Sequence, residues 1–313
     1  MRIVFMGSAA IACETLRMLV HWPELEVVGV ITQPDRRVGR KQRLAACPVK
    51  ECAESLGLTV FTPERVNSTA AMADIRHLRP DVGVVMAYGQ ILRPALLQIP
   101  VHGFLNIHTS LLPRYRGAAP IQRAVANGDE STGVTIMQMD AGMDTGDLLA
   151  MESTTIGSTE TAGELHDRLA GIGAALMEIV LGDLMQGCIV PQPQPERGVT
   201  YAPKLEKREG HIDWTQPTQQ IYNHIRGFNP WPCCYCYFDA GKAGRQMLRI
   251  LEARCLPGGY GVPGEILPHR DAFVVACGEG ALALQKVQPQ GKAVMAGEAF
   301  LRGRQLGPGT VLE

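Results

Sequence analysis

The 313-residue sequence predicts an α/β protein: a Rossmann-like, mostly parallel sheet with helices on both faces, followed by a smaller C-terminal β-barrel of OB-like type. Three observations carry this. Through the first two-thirds, short apolar runs alternate with amphipathic segments of helical period, the pattern of βα units. A stretch of prolines and charges then interrupts the chain. Beyond it, short apolar runs are spaced by Gly and Pro turns, which suits a small barrel or sandwich.

Taken in order, strands are expected at "RIVFMG" (2 to 7), "LEVVGVIT" (25 to 32), "LTVFTP" (58 to 63), "DVGVVMAYG" (81 to 89), "GFLNIHTS" (103 to 110) and "GVTIMQMD" (133 to 140). Helical spacing of apolar residues marks "IACETLRMLVHW", "VKECAESLG", "TAAMADIRHL" and "PIQRAVANG" between them, and a long helix over 161 to 187. The segment 188 to 210 cannot sustain a helix or a central strand, because prolines and charges recur through it, and it reads as a linker. The expected organisation is therefore a first domain over 1 to 187, the linker, and a second domain over 211 to 313. That second domain opens with a helix at "TQQIYNHIRGFNP" and continues in strands from "CYCYFD" to "ALALQKVQP".

Composition narrows the function classes. At 46% hydrophobic and 19% charged the chain is neither disordered nor membrane-like, and no apolar run is read as approaching the roughly 20 residues that would span a bilayer. No membrane partner is expected. The strand-like opening lacks a basic leader, and nine cysteines do not make a complete disulfide framework, so a cytoplasmic address is expected. The net charge of −1 hides a split, with 17 Lys and Arg against 21 Asp and Glu up to residue 200, and 13 against 10 after it. Within 36 to 50, Arg36, Arg37, Arg40, Lys41, Arg43 and Lys50 occur without an acidic residue. Such a run either attracts a phosphate backbone or is simply a solvated loop.

Asn106 and His108 are two apart on an expected strand, so they share a face near its carboxyl end, where open parallel sheets bind ligands. An amide donor beside an imidazole can hold a carbonyl oxygen as charge develops and can move a proton. A polar pair that merely ends the strand is the alternative. The loop "DAGMDTGDLL" (140 to 149), expected to follow another parallel strand, brings Asp140, Asp144 and Asp147 among three glycines. One of these carboxylates can reach His108 and fix its tautomer; a plain turn is the alternative, and a calcium loop lacks its bidentate Glu. A dinucleotide fingerprint needs three glycines where "FMGSAAIACETL" has one. Cys233, Cys234 and Cys236 have no second Cys or His pair at zinc spacing, and they read as apolar strand residues; no metal is expected.

The stretch "NIHTSLLPRYRGAAPIQRAVANGDESTGVTIMQMDAGMDTGDLL" resembles the signature region of the folate-dependent formyltransferases. The likeness extends through "TQPD", "CPVK", "VVMAYGQILR", "TYAPKL", "IDW" and "FNPWP", which favours the branch acting on methionyl-tRNA over shorter purine-pathway members. The resemblance implies a catalytic trio of Asn106, His108 and Asp144, and folate contacts along Ser110, Leu111, Leu112 and Pro113. It also implies that Arg36, Arg40, Lys41 and Arg43 engage the acceptor arm of the initiator tRNA. The reaction it implies is transfer of the formyl group of 10-formyltetrahydrofolate to the α-amine of methionyl-tRNA, by a monomer. A folate-dependent enzyme acting on an amino sugar nucleotide or another small amine is the alternative. The chain departs from the family pattern in "GSAAIA", where G-T-P-x-F-A is usual, and in Arg37, where proline is usual.

Overall fold

The computed structural model describes residues 1–39, 42–241, 244–258, 261–304 and 306–313. In chain order the elements are β1 (Arg2–Gly7), α1 (Ala12–His21), β2 (Glu26–Ile31), β3 (Arg36–Val38), β4 (Arg43–Ala45), α2 (Pro48–Ser55), β5 (Val60–Phe61), α3 (Thr69–Leu78), β6 (Val82–Met86), α4 (Pro94–Leu97), β7 (Phe104–His108), β8 (Arg116–Gly117), α5 (Pro120–Ala126), β9 (Ser131–Gln138), β10 (Leu148–Thr155), α6 (Ala162–Gln186) and β11 (Tyr201–Ala202). They continue as α7 (Thr218–Gly227), β12 (Cys234–Asp239), β13 (Arg245–Leu256), β14 (Ile266–Leu267), β15 (Phe273–Ala276), β16 (Ala281–Pro289), β17 (Met295–Ala296) and α8 (Gly297–Arg304). Two compact units result. The first gathers Met1–Gly117, Thr132–Thr155 and His166–Ala202, and the second gathers Ala118–Ser131, Ile156–Leu165 and Pro203–Glu313.

The first unit is built on a seven-stranded sheet of order β10-β9-β7-β6-β1-β2-β5. Strands β5, β2, β1, β6 and β7 are parallel, and their runs "VFMG" and "VGVVM" are buried throughout, as a sheet covered on both faces requires. β9 is antiparallel to β7, pairing Leu105 with Gln138 and His108 with Thr135. This corrects the expectation that the acidic loop follows another parallel strand: side-chain alternation reports a strand's two faces but not its direction. The loop leaves beside the start of β7 and has to return along it to reach His108.

Local signals place the helices. Ser68 caps α3 by accepting a 3.2 Å hydrogen bond from the Ala71 amide, and Pro48 occupies the first turn of α2, where its missing N–H costs nothing. The 25-residue α6 is apolar and long enough, by composition, to cross a bilayer, which the sequence reading overlooked because charges interrupt its first turns. Its Ala170, Ala174, Met177 and Leu181 are buried at helical spacing, the mark of a core helix. Gly173 lies on that stripe, and a Cβ there would sit 2.9 Å from Ile107 Cγ2. The helix therefore packs against the face of β7 that carries Ile107, leaving Asn106 and His108 on the other.

The second unit curls an antiparallel sheet, β12-β13-β16-β15-β14 with β17 on β16, into a half-barrel. The long β13 bends where its register with β16 shifts around Glu252. On β12, Cys234, Cys236 and Phe238 face the core while Tyr235 and Tyr237 stay half-exposed. Cys234 and Cys236 thus act as small apolar strand residues, and burial pushes the Cys236 thiol up to about 12. Phe300 of α8 closes the core edge-on to Phe238, with ring centroids 5.2 Å apart. Gly227 of α7 allows a close crossing of α5, since a Cβ there would meet the Ala126 amide nitrogen at 2.7 Å. Beside that crossing Arg123 donates to Glu209 at 2.7 Å, holding its carboxyl below the usual range, and burial pushes the nearby His224 down.

Candidate active site

β7 delivers His108 to the carboxyl edge of the sheet, 6% exposed. Its Nε2 lies 2.9 Å from the Tyr115 carbonyl oxygen, which can only accept, so Nε2 carries the hydrogen. In the neutral ring, Nδ1 is then a bare acceptor, and it faces Asp144 Oδ2 at 3.7 Å. Two acceptors do not bond, which accounts for that separation. A proton added at Nδ1 converts the contact into an ion pair and leaves both ring N–H groups partnered. The site is thus arranged to receive or hold a proton at Nδ1.

Asp144 sits in the left-handed region at φ 53°, and its Oδ2 accepts a 2.7 Å hydrogen bond from the Gly117 amide. Gly117, at φ 118°, is fixed as glycine twice over, because a Cβ would also meet the Ala202 carbonyl oxygen at 2.8 Å. The three acids of the loop have separate fates. Asp140 is turned into its own loop, accepting from Thr145 Oγ1 at 2.7 Å and from the Gly142 amide at 3.0 Å, while Asp147 is exposed. The carboxylate that meets His108 is that of Asp144.

Asn106, on the same face as His108, is half-buried, and among the described residues its carboxamide has no hydrogen-bond partner. A half-buried amide with free donors at this edge is able to bind a ligand oxygen. The stretch at 110 to 113 divides. Ser110 is fully buried with its hydroxyl donated to the Arg114 carbonyl at 2.6 Å, and Leu112 is in the core. Leu111 and Pro113 remain half-buried. Ile91 after β6 and Met143 in the acidic loop are exposed at 81% and 57%, adding apolar surface on flanking loops.

Three residues escaped the sequence reading. Thr135, fully buried on β9, donates to the Ser110 carbonyl at 2.7 Å and accepts from the Leu112 amide at 3.1 Å, fixing the turn after His108. Ser8 accepts from the Gln33 amide and donates to the Tyr88 carbonyl, both at 3.1 Å, joining the loops after β1, β2 and β6. It lies in the "GSAAIA" departure, so that loop is held by a hydroxyl. Gln194, in the expected linker, bonds the backbone of the acidic loop. A hydroxyl inside the apolar run "GVTIMQ" is a readable signal for Thr135; the other two carry none.

The basic run forms an antiparallel hairpin, β3 with β4, in which Arg36, Arg37 and Arg43 are exposed. Arg40 and Lys41 lie outside the described residues. Lys50 pairs with Asp35 at 2.8 Å.

The family described as "Formyl transferase" matches residues 1–181, and "Formyl transferase, C-terminal domain" matches 204–305. A methionyl-tRNA formyltransferase of Magnetococcus marinus is 46% identical over 96% of this chain and 95% of its own length, and one of Jannaschia sp. is 46% identical over the whole of both. Among solved structures, the sugar 3N-formyl transferase WlaRD has a TM-score of 0.65 at 16% identity, covering 94% of this chain and 99% of its own. HypX from Aquifex aeolicus, solved with tetrahydrofolic acid, has a TM-score of 0.64 at 17% identity; this chain, 98% covered, spans 48% of it. At such identities these two likenesses concern the fold alone. With an amide, an imidazole and a carboxylate at one sheet edge and full-length relatives of one kind, the chain belongs to the formyl transferase family, in its methionyl-tRNA formyltransferase branch.

Proposed function

We propose that the chain moves a formyl group from 10-formyltetrahydrofolate to the α-amine of methionyl-tRNA, with Asn106, His108 and Asp144 carrying the chemistry. The observation that bears most weight is the unpartnered Asn106 carboxamide beside the His108–Asp144 pair. The donor supplies an activated formyl carbonyl. Asn106 donates to the carbonyl oxygen and holds it more tightly as negative charge builds there. His108 takes the proton released by the attacking nitrogen at Nδ1, while Tyr115 O keeps the ring's orientation and Asp144 offsets the new positive charge; as the tetrahedral centre collapses, the bond from the formyl carbon to N10 of the donor breaks, His108 returns the proton to N10, and tetrahydrofolate leaves. Leu111, Pro113, Ile91 and Met143 would pack against the ring faces of the donor. No step requires a metal ion.

Recognition of tRNA is assigned to two surfaces. Arg36 and Arg43 of the hairpin, together with Arg40 and Lys41, which lie outside the described residues, would meet acceptor-arm phosphates. In the C-terminal domain, 211 to 313, His211, Tyr235 and Tyr237 pack with ring centroids 5.4 to 5.7 Å apart and Arg245 lies 4.0 Å over Tyr237. Half-exposed rings beside a guanidinium that also pairs with Glu313 at 2.9 Å suit contacts with RNA bases and backbone. The reading places the protein in the cytoplasm, acting as a monomer in translation initiation.

The test is a formyl-transfer assay on the purified protein with 10-formyltetrahydrofolate and methionyl initiator tRNA. Transfer to methionyl-tRNA, but not to uncharged tRNA or free methionine, is expected. Transfer to an amino sugar nucleotide in its place would overturn the assignment of substrate while keeping the chemistry.

A further inference from the structure

The mechanism leaves Asp144 in a demanding position. Its backbone is left-handed, residues 140 to 143 before it are exposed, and the loop has to run back along β7 to bring one carboxylate oxygen toward His108. Something must hold that loop.

The stretch that follows α6 looks least suited to the task. Over residues 190 to 198, "VPQPQPERG", every side chain but one is exposed. The exception is Gln194. Its Nε2 donates to two carbonyl oxygens of the acidic loop, Asp144 O at 2.9 Å and Gly146 O at 2.8 Å. Its Oε1 accepts from Arg116, at 2.6 Å from Nη2 and 3.2 Å from Nε. Only one amide orientation satisfies this set, since the flipped group would aim oxygen at carbonyls and NH2 at a guanidinium. Arg116 is followed by Gly117, whose amide grips the Asp144 carboxylate. Gln194 therefore links the backbone of Asp144 to the strand that holds its side chain.

The same segment is anchored on either side. Gln192 pairs with Leu148, where β10 begins after the acids of the loop, through hydrogen bonds of 2.7 and 2.9 Å. Thr200 accepts from the Tyr115 amide at 2.8 Å through Oγ1 and from the Arg116 amide at 2.9 Å through its carbonyl, and β11 pairs with β8. Tyr115 is the residue whose carbonyl orients His108. One extended segment thus contacts the two loops that place the histidine and its acid.

We propose that Gln194 is a positioning residue of the formyl-transfer site, acting through Asp144, and that the segment 192 to 202 is a brace for the catalytic loops. This rests on the functional reading above. Proline on both sides of Gln194 restricts the backbone and lowers the entropy lost in holding one side chain inward.

The experiment uses the full chain carrying Gln194→Ala, Gln194→Glu, Asp144→Asn, and each Gln194 change combined with Asp144→Asn. Gln194→Glu keeps an acceptor for Arg116 but loses the donors to Asp144 O and Gly146 O. Both Gln194 changes should lower kcat, by about tenfold or more, as small misplacements of a reacting group do. KM for both substrates should stay within about twofold of the parent value, the pattern of a group acting on turnover rather than on binding. In the Asp144→Asn background neither should lower kcat further, because the residue through which they act is already disabled. Independently of activity, the ring nitrogen NMR resonances of His108 should move in Gln194→Ala in the same sense as in Asp144→Asn.

Unchanged kcat, an undiminished effect in the Asp144→Asn background, or a His108 signal untouched by Gln194→Ala would each overturn the proposal. So would a collapsed unfolding midpoint in both variants, since the segment would then be holding the fold rather than the carboxylate. An unsubstituted chain without formyl transfer would instead sink the functional reading, and the NMR comparison would still judge the brace.

Discussion

At the scale of single residues the site is a division of polar labour within a few ångströms. Tyr115 O fixes which nitrogen of His108 is free, and Asp144 waits opposite that nitrogen at 3.7 Å. Asp144→Asn keeps the shape and the acceptor for Gly117 but removes the charge that offsets a protonated ring. It is expected to lower kcat about a hundredfold or more while tRNA affinity is unchanged, as checked by single-turnover formyl transfer and filter binding. Asn106 and His108 were legible as a pair because a spacing of two puts side chains on one face of a strand. Asp144 was one of three acids, and its neighbour Asp140 differs from it only in bonding its own loop, which spacing does not encode. Gln194 was illegible because its partners lie 48 to 78 residues away and its surroundings read as solvated linker.

Elements carry the next level of argument. Strands such as β1, β12 and β16 were readable because their apolar runs are bounded by turns, whereas β10, "LLAMESTT", is an edge strand with exposed residues and carries no such contrast. Nor does the arginine-rich hairpin of β3 and β4 show an apolar face. Close packing of α6 on β7 through Gly173 yields a direct test. Gly173→Val forces Ile107 aside, so it is expected to cost roughly 1–3 kcal/mol of stability and to lower kcat by disturbing the two residues beside Ile107. Thermal unfolding and steady-state kinetics on one preparation check both. In the second unit, His224 is held neutral by burial and Glu209 is held ionised chiefly by Arg123. For both, the unfolded chain takes up the proton first as pH falls, His224 below about 6.5 and Glu209 in the carboxylate range. Stability of this unit is therefore expected to decline on acidification from neutral pH. In His224→Gln the upper part of that decline should vanish from urea midpoints measured against pH.

For the whole molecule the central question is how a chain of net charge −1 meets a polyanion. Charge is distributed unevenly: the hairpin exposes Arg36, Arg37 and Arg43, whereas Lys50 is neutralised by Asp35. Replacing Arg36 and Arg43 with Gln should raise KM for methionyl-tRNA and leave kcat at saturation near the parent value. It should also flatten the salt dependence of binding by about one unit of log–log slope for each phosphate that the hairpin no longer neutralises. The most direct test of the account is kcat for Asn106→Ala beside the dissociation constant for methionyl-tRNA. The account expects turnover to fall about a hundredfold with tRNA affinity intact, because the amide meets the reacting oxygen and not the RNA. Near-normal turnover, or a loss confined to tRNA affinity, would contradict it.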